Sequence, residues 1–516
     1  MNVRAIISPM QKGIIGEITC ASGSKIPKRI ARGIKTDRSF VIAGRKLVNW
    51  GGKMLLSRYK DIPNASLTAK KKSSNPMLFL VEGYVFLIVL GTVLLKCPFS
   101  LLKELSLVDA FFTATSAVCV TGLSVIDIGG TFTSAGLWII ALLIQIGGLG
   151  IMTFSTSILL LSGMRPGFNQ QAIFKSGFTT EGNVDPKKIL AAVLPFTVVL
   201  EGLGTAAFFT QFDNLPLSDR ILYSFFHAVS AFCNAGFSPF ADSLMSFRLN
   251  PVVCLVVMFL VLSGSIGFLA MAEVRNIFNF STRTIQKVSL HTKIALLATL
   301  VIVAVEMLSV LVIEWNGAFA GESFFGKLLS AGFVSVASRT AGFNTVDPLT
   351  FRETSMIIVI IAMFIGASPG SCGGGLKTTT AAVIAILGFN RLLGRERTQV
   401  MGRTVPEETV DKAVRIFIVY VVLALVGTLV LLLTEFPGGA FGSSNSHFLG
   451  VFFEVVSALS TCGLSLGLSA ELSDFGRIFI CIFMFVGRMG ALFLISAVVK
   501  KKEGGAWYAE EDIMVG

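Results

Sequence analysis

The chain has 516 residues, of which 53% are hydrophobic and 14% charged, with a mean hydropathy of +0.77 and a formal net charge of +12. A soluble protein is about 25% charged, so too few charges remain here to cover so much apolar surface in water. That excludes a water-soluble enzyme, a nucleic-acid reader and a fibrous chain, and leaves an all-α polytopic membrane protein, because the apolar runs are helix-length rather than ~10-residue alternations.

The positive charge is concentrated at the N-terminus. Residues 1–76 hold 16 Lys and Arg against 3 Asp and Glu, so the rest of the chain sums to −1. Lys25, Lys28, Arg29, Arg32, Lys35, Arg38, Arg45 and Lys46 lead to Lys70, Lys71 and Lys72. A polybasic tail without a secretory signal, ahead of the first span, is expected to stay cytoplasmic and to meet anionic membrane lipid. A solvated leader with no partner is the plainer alternative. A nucleic-acid arm lacks the interleaved aromatics it would need, and no nucleic-acid partner is expected.

Eight long apolar stretches follow, at about 77–96, 133–162, 188–211, 250–272, 292–314, 353–386, 414–435 and 476–499. They fall into four pairs, and between the members of each pair lies an apolar segment too short to cross a ~30 Å bilayer core. These short segments are the most alike parts of the chain. Aligned on Gly122, Gly236, Gly342 and Gly463, each has alanine five residues earlier (Ala117, Ala231, Ala337, Ala458), Leu or Phe one later and Ser or Asn two later. Ten residues earlier stands Phe in three copies and Gly332 in the third. The expected organisation is a basic tail (1–76), repeat 1 (77–163), repeat 2 (186–280), repeat 3 (289–392), repeat 4 (410–502) and a C-terminus (503–516). That makes eight transmembrane helices plus four re-entrant pore helices around a central ion path. Hairpins carrying merely similar amphipathic caps are the plainer reading.

Orientation follows from the basic residues. With the tail inside, the inside segments, counting Lys187 and Lys188 at their edge, hold 34 Lys and Arg and the outside hairpins 8: Lys96, Lys103, Arg220, Arg248, Lys327, Arg339, Arg352 and Arg477. This is the positive-inside bias. Both termini are then cytoplasmic, and the short segments enter from outside.

Such a hairpin leaves non-helical backbone at membrane depth, which is tolerated only where it lines a cavity. Four copies about an axis would offer a ring of carbonyls in place of an ion's hydration shell. Glycine can take the positive φ that turns carbonyls inward, and the negative end of each short helix favours cations. Few carboxylates lie near the glycines, which suits K⁺ better than the divalent ions. The cysteines show no CxxC pair, His227, His291 and His447 are too scattered for a metal site, and no catalytic constellation is present, so no enzyme activity and no cofactor are expected.

At these residues the sequence resembles a known family. Val120-Thr121-Gly122, Asn234-Ala235-Gly236, Thr340-Ala341-Gly342 and Thr461-Cys462-Gly463 look like the four pore loops of the Trk/Ktr/HKT cation transporters, and Gln145 to Gly150 is similar to the end of that family's first repeat. The likeness covers about 77–502 and, with eight spans, is closer to the Ktr branch. It implies potassium uptake across the plasma membrane (the inner membrane of a bacterium), with K⁺ held only at these filter residues and sodium a candidate activator. Serine often replaces the first glycine in members that admit Na⁺, so four glycines imply K⁺ selectivity. The resemblance also implies a homodimer on a separate cytoplasmic ring of nucleotide-binding regulatory subunits, docked by the loops 163–187, 273–293 and 377–412. A secondary carrier of another cation or small solute, working by alternating access of the repeats, is the alternative.

Two further features stand apart. The run 353–386 is interrupted by Gly366 to Thr378, which fails as a nucleotide loop because Leu376 separates Gly375 from Lys377. Its glycines and Pro369 predict an unwound segment. By resemblance it is the intramembrane gating loop (Gly370, Ser371, Gly373, Gly374, Gly375, Lys377), with Cys372 where a small hydroxyl residue is usual; a simple kink is the plainer reading. Arg488 is a basic residue deep in the last run, a costly place that makes function the default. The family carries a similar arginine below the filter as a cation barrier. Alternatively Arg488 snorkels to the inner headgroups, since Lys500 is only about 18 Å along the helix.

Overall fold

The computed structural model describes residues 76–150, 186–267, 270, 271, 273, 289–437 and 447–490. The basic tail up to 75, residues 163–185 of the first inner loop, nearly all of 273–288 and the 503–516 terminus lie outside the described residues, as do the expected repeat ends at 163, 280 and 502. All the described residues belong to one unit, Ser74–Gly516.

The chain forms α1 (Pro76–Lys96), α2 (Leu107–Cys119) and α3 (Ser134–Leu149), then α4 (Pro186–Phe209), α5 (Leu217–Phe232) and α6 (Pro251–Ser265). Next come α7 (Leu290–Ile313), α8 (Phe324–Ala337), α9 (Glu353–Phe364) and α10 (Thr378–Leu392). A two-stranded hairpin, β1 (Gln399–Val400) and β2 (Arg403–Thr404), leads to α11 (Glu407–Glu435), α12 (Phe448–Ser460) and α13 (Asp474–Met489). Two of these helices, α7 and α11, are each long and apolar enough to cross a membrane. Many of their large aliphatic residues point outward: Val312 is 74% exposed and Leu433 66%. Side chains of that kind are at home in lipid rather than water.

The short helices α2, α5, α8 and α12 have 13, 16, 14 and 13 residues, about 20–24 Å at 1.5 Å per residue. Serine starts two of them, Ser106 accepting from Asp109 N and Ser323 from Gly326 N, each satisfying a donor the first turn leaves open. Their C-terminal halves are buried, with Ala117, Ala231 and Ala458 at zero exposure. At the ring position ten residues before the glycines, Phe112, Phe226 and Phe453 are buried. In the third copy Met307 and Met258 fill in, their sulfurs 3.6 and 3.8 Å from where a Gly332 Cβ would stand. Methionine suits such an irregular gap.

Each short helix packs on the second long helix of the preceding triplet: α5 on α3, α8 on α6, α12 on α9, and α2 on α13. The circle therefore closes. Ionic pegs reinforce it, with Arg248 reaching Glu322 at 2.5 Å and Arg477 reaching Asp109 at 2.8 Å.

Two expectations need correction. Only the run at 353–386 was expected to be interrupted, yet α3, α6 and α13 also end inside their apolar runs. α3 stops at Gly150 (φ 81°), α6 before Gly267 (φ 96°) and α13 at Gly490 (φ 81°). Positive φ at glycine is the usual way to end a helix, and apolar composition hid these stops. Arg339, counted among the outside cations, is 1% exposed and belongs to the interior.

Candidate functional site

The four marked glycines meet. Gly122, Gly236, Gly342 and Gly463 have φ of 91°, 70°, 74° and 91°. A Cβ on Gly236 would stand 2.6 Å from Ala341 O, and one on Gly342 2.5 Å from Cys462 O. On Gly122 it would collide with Ala235 O, and on Gly463 with Thr121 O. Each glycine thus abuts the carbonyl and the glycine Cα of the next copy, from first to second to third to fourth and back to the first. Glycine is required twice over, by φ and by this contact.

Two residues before each glycine is a second left-handed residue: Val120 (φ 57°), Asn234 (60°), Thr340 (62°) and Thr461 (51°). Three of these are β-branched, for which positive φ is an outlier. Such strain persists only where surroundings over-determine it. Those surroundings are the helix ends. Thr121 N donates to Ser116 O (2.8 Å), Ala235 N to Ser230 O (2.7 Å), Cys462 N to Ser457 O (2.8 Å), and both Ala341 N and Gly342 N to Ala337 O (3.0 and 3.1 Å). Gly122 N and Gly463 N donate to Ser116 Oγ and Ser457 Oγ, each at 3.1 Å. The N–H groups are thus turned back onto the short helices. By contrast, none of the carbonyl oxygens in 120–122, 234–236, 340–342 and 461–463 accepts a hydrogen bond from another described residue. Buried carbonyls are almost always paired, so four such clusters side by side call for an unusual partner.

The segment Gly366 to Thr378 lies against this ring. Ser368 N donates to Ser265 O (3.1 Å), Cys372 N to Gly264 O (3.2 Å) and Gly374 N to Thr461 Oγ1 (3.0 Å). Gly373 abuts Thr340 Oγ1 and Gly375 abuts Ser460, so a side chain at either would displace the segment. Gly370 and Gly375 take φ of 68° and 71°. Lys377 Nζ folds back to Gly373 O at 2.8 Å, and Ser371 Oγ to Ser368 O at 2.6 Å. Arg488 completes the contacts by donating to Cys372 O, Gly147 O and Gly148 O, with Nε 3.4 Å from Tyr84 OH. Every group it hydrogen-bonds is neutral. It points into the protein, against the snorkelling alternative.

The sequence reading missed several residues. Ser116, Ser230 and Ser457 all lie six before their glycine, with Val336 in the third copy; that register was visible. Nine before stand His227 and Glu454, both fully buried. His227 Nδ1 donates to Tyr223 O (2.8 Å), and Nε2 lies 3.0 Å from Ser238 Oγ. Glu454 accepts from Ser465 Oγ (2.5 Å), Leu466 N (3.2 Å) and Ser469 Oγ (3.0 Å). Glu454→Ala strands those donors and is expected to cost about 3 kcal/mol or more. It should be read as a lowered melting midpoint of the purified protein, with Glu454→Gln losing less. A midpoint unchanged in Glu454→Ala would mean the carboxylate does not hold this loop.

Helix triplets closed in a circle about a ring of glycine turns, faced with lipid-compatible surface, define the chain as a helical membrane protein. The chain belongs to the TrkH family of cation transport proteins, whose model matches residues 62–507. It is 35% identical over 449 residues to the Ktr system potassium uptake protein B of Bacillus subtilis, covering 86% of this chain and 97% of that one. It is 33% identical over 454 residues to the potassium/sodium uptake protein NtpJ of Enterococcus hirae, covering 86% and 98%. The crystal structure of the potassium transporter TrkH from Vibrio parahaemolyticus shares the fold, with a TM-score of 0.65 at 21% identity over 85% of this chain and 87% of that one.

Proposed function

We propose that this chain takes up potassium across the plasma membrane along an axis ringed by its four glycine turns. The observation that carries the reading is the closed ring of glycine contacts bearing carbonyl oxygens without protein partners. Backbone carbonyls in that arrangement can replace the water around a weakly hydrated monovalent cation. On this reading α2, α5, α8 and α12 are pore helices whose negative ends face the ion. Residues 77–163, 186–280, 289–392 and 410–502 are the four repeats, and both termini are cytoplasmic. Residues 120–122, 234–236, 340–342 and 461–463 hold K⁺. The segment 366–378 and Arg488 gate the path from below, Arg488 by adding a positive charge in a medium of low dielectric. The membrane potential supplies the drive, about 2.3 kcal/mol per charge per 100 mV.

The names of the relatives support potassium as cargo, and that of NtpJ supports sodium as an activator or second ion. Similarity to the Ktr proteins supports a homodimer on a separate nucleotide-binding regulatory ring. Expression in cells lacking their own K⁺ uptake is expected to restore Rb⁺ accumulation. If the protein reaches the membrane and Rb⁺ does not enter, a carrier of another solute is the better reading.

A further inference from the structure

Arg339 immediately precedes the left-handed Thr340, and its side chain is buried in the protein. It reaches both ends of the segment 366–378. Nη2 donates to Gly366 O at 3.3 Å and to Thr378 Oγ1 at 3.0 Å, while Nη1 donates to Thr299 O on α7 at 3.5 Å. Thr378 closes the neck itself, with Oγ1 donating to Gly366 O (2.9 Å) and N to Ala367 O (3.2 Å), beside a parallel bridge between Ile365 and Leu376. The neck is therefore one hydrogen-bonded knot with a cation at its centre. The neighbouring side chains are organised around it: Glu306 on α7 accepts from Ser338 Oγ at 2.8 Å and Ser335 Oγ at 3.4 Å. One residue further on, Thr340 Oγ1 stands against Gly373 at the loop's tip. Holding a charge at such depth is costly unless it is hydrogen-bonded. A cation placed on both ends of one loop points to that loop.

We propose that Arg339 is a positioning residue that clamps the neck of the 366–378 loop to the third glycine turn, so that the loop swings only at its tip and closes reliably under the ring. The inference rests on the reading of this loop as the gate. It makes the Arg339–Thr378–Gly366 knot, rather than the Arg488 contacts alone, what keeps the closed position populated.

The test uses the full-length protein in phosphatidylethanolamine–phosphatidylglycerol vesicles, reading basal Rb⁺ flux per folded protein and the Rb⁺ to Na⁺ ratio. Thr378→Val removes the bridging hydroxyl at nearly constant shape, and Thr378→Ser keeps it. Thr378→Val is expected to raise basal flux about fivefold to tenfold, the bias of one charge-assisted hydrogen bond on a two-state equilibrium, with the ion ratio unchanged. Thr378→Ser is expected to match the parent. Arg339→Lys, which keeps the charge but loses the fork that reaches both partners, is expected to leak as well and serves if Thr378→Val does not fold. A merely structural role would lower the melting midpoint without moving flux per folded protein. Parental flux in both Thr378→Val and Arg339→Lys, with Arg488→Ala leaking, overturns the clamp alone. Parental flux in all three overturns the gate reading with it.

Discussion

Gly122→Ser is expected to collapse the preference for K⁺ over Na⁺, raising Na⁺ uptake relative to Rb⁺ by about tenfold, a difference of about 1.4 kcal/mol in how the site treats the two ions. The new Cβ would run into Ala235 O and stand 3.1 Å from Gly236 Cα, on a residue held at φ 91°. No rotamer relieves a clash with backbone. The carbonyl must retreat, and a ring that discriminates by how its oxygens match a dehydrated ion loses that match. The resemblance to members that carry serine here and admit Na⁺ gives the same sign. Gly342→Ala asks the question of another copy, where the Cβ would stand 2.5 Å from Cys462 O. An unchanged ratio in both variants, at equal protein in the membrane, would separate the glycines from ion discrimination.

Arg488→Ala is expected to raise basal Rb⁺ flux about tenfold to a hundredfold. The substitution removes the donors that tie the loop, through Cys372 O, to Gly147 and Gly148 on α3. Each charge-assisted bond is worth about 1.5–3 kcal/mol, so losing one favours the released loop by roughly a factor of ten or more. On the proposed reading it also takes a positive charge out of the path, and the two effects share a sign. Arg488→Lys keeps the charge but loses most of the fork. It should leak less than Arg488→Ala if charge is the barrier, and equally if tethering is. Flux unchanged from the parent across pH and voltage would remove Arg488 from gating.

The meeting of the four glycine turns was legible in the sequence because the repeat is written in small residues. Ala117, Ala231, Ala337 and Ala458 lie where helix ends crowd together, and Gly122, Gly236, Gly342 and Gly463 where neither a Cβ nor a negative φ fits. Such positions leave no choice of residue, so their register survives when the rest of the copy diverges. The left-handed turns at Val120, Thr340 and Thr461 were not legible, because β-branched residues argue against positive φ and only the helix-end hydrogen bonds enforce it. The helix ends at Gly150, Gly267 and Gly490 hid for the opposite reason. Each glycine sits in an apolar run that reads as one span, and nothing local separates a packing glycine from a stopping one. Arg339 was misplaced because a charge near a hairpin normally faces water; its acceptors, Gly366 and Thr378, come from the far side of α9 and are unrelated to it in sequence. His227 and Glu454 share a register but not a chemistry, so the repeat search passed over them.

The most direct test of the whole account is to locate the ion. Crystals of the full-length protein grown in Rb⁺ should show anomalous density on the axis enclosed by residues 120–122, 234–236, 340–342 and 461–463, replaceable by K⁺ and diminished by Gly342→Ala. Rb⁺ bound instead between two repeats away from that axis, or an axis empty of Rb⁺ in a protein that transports it, would contradict the account.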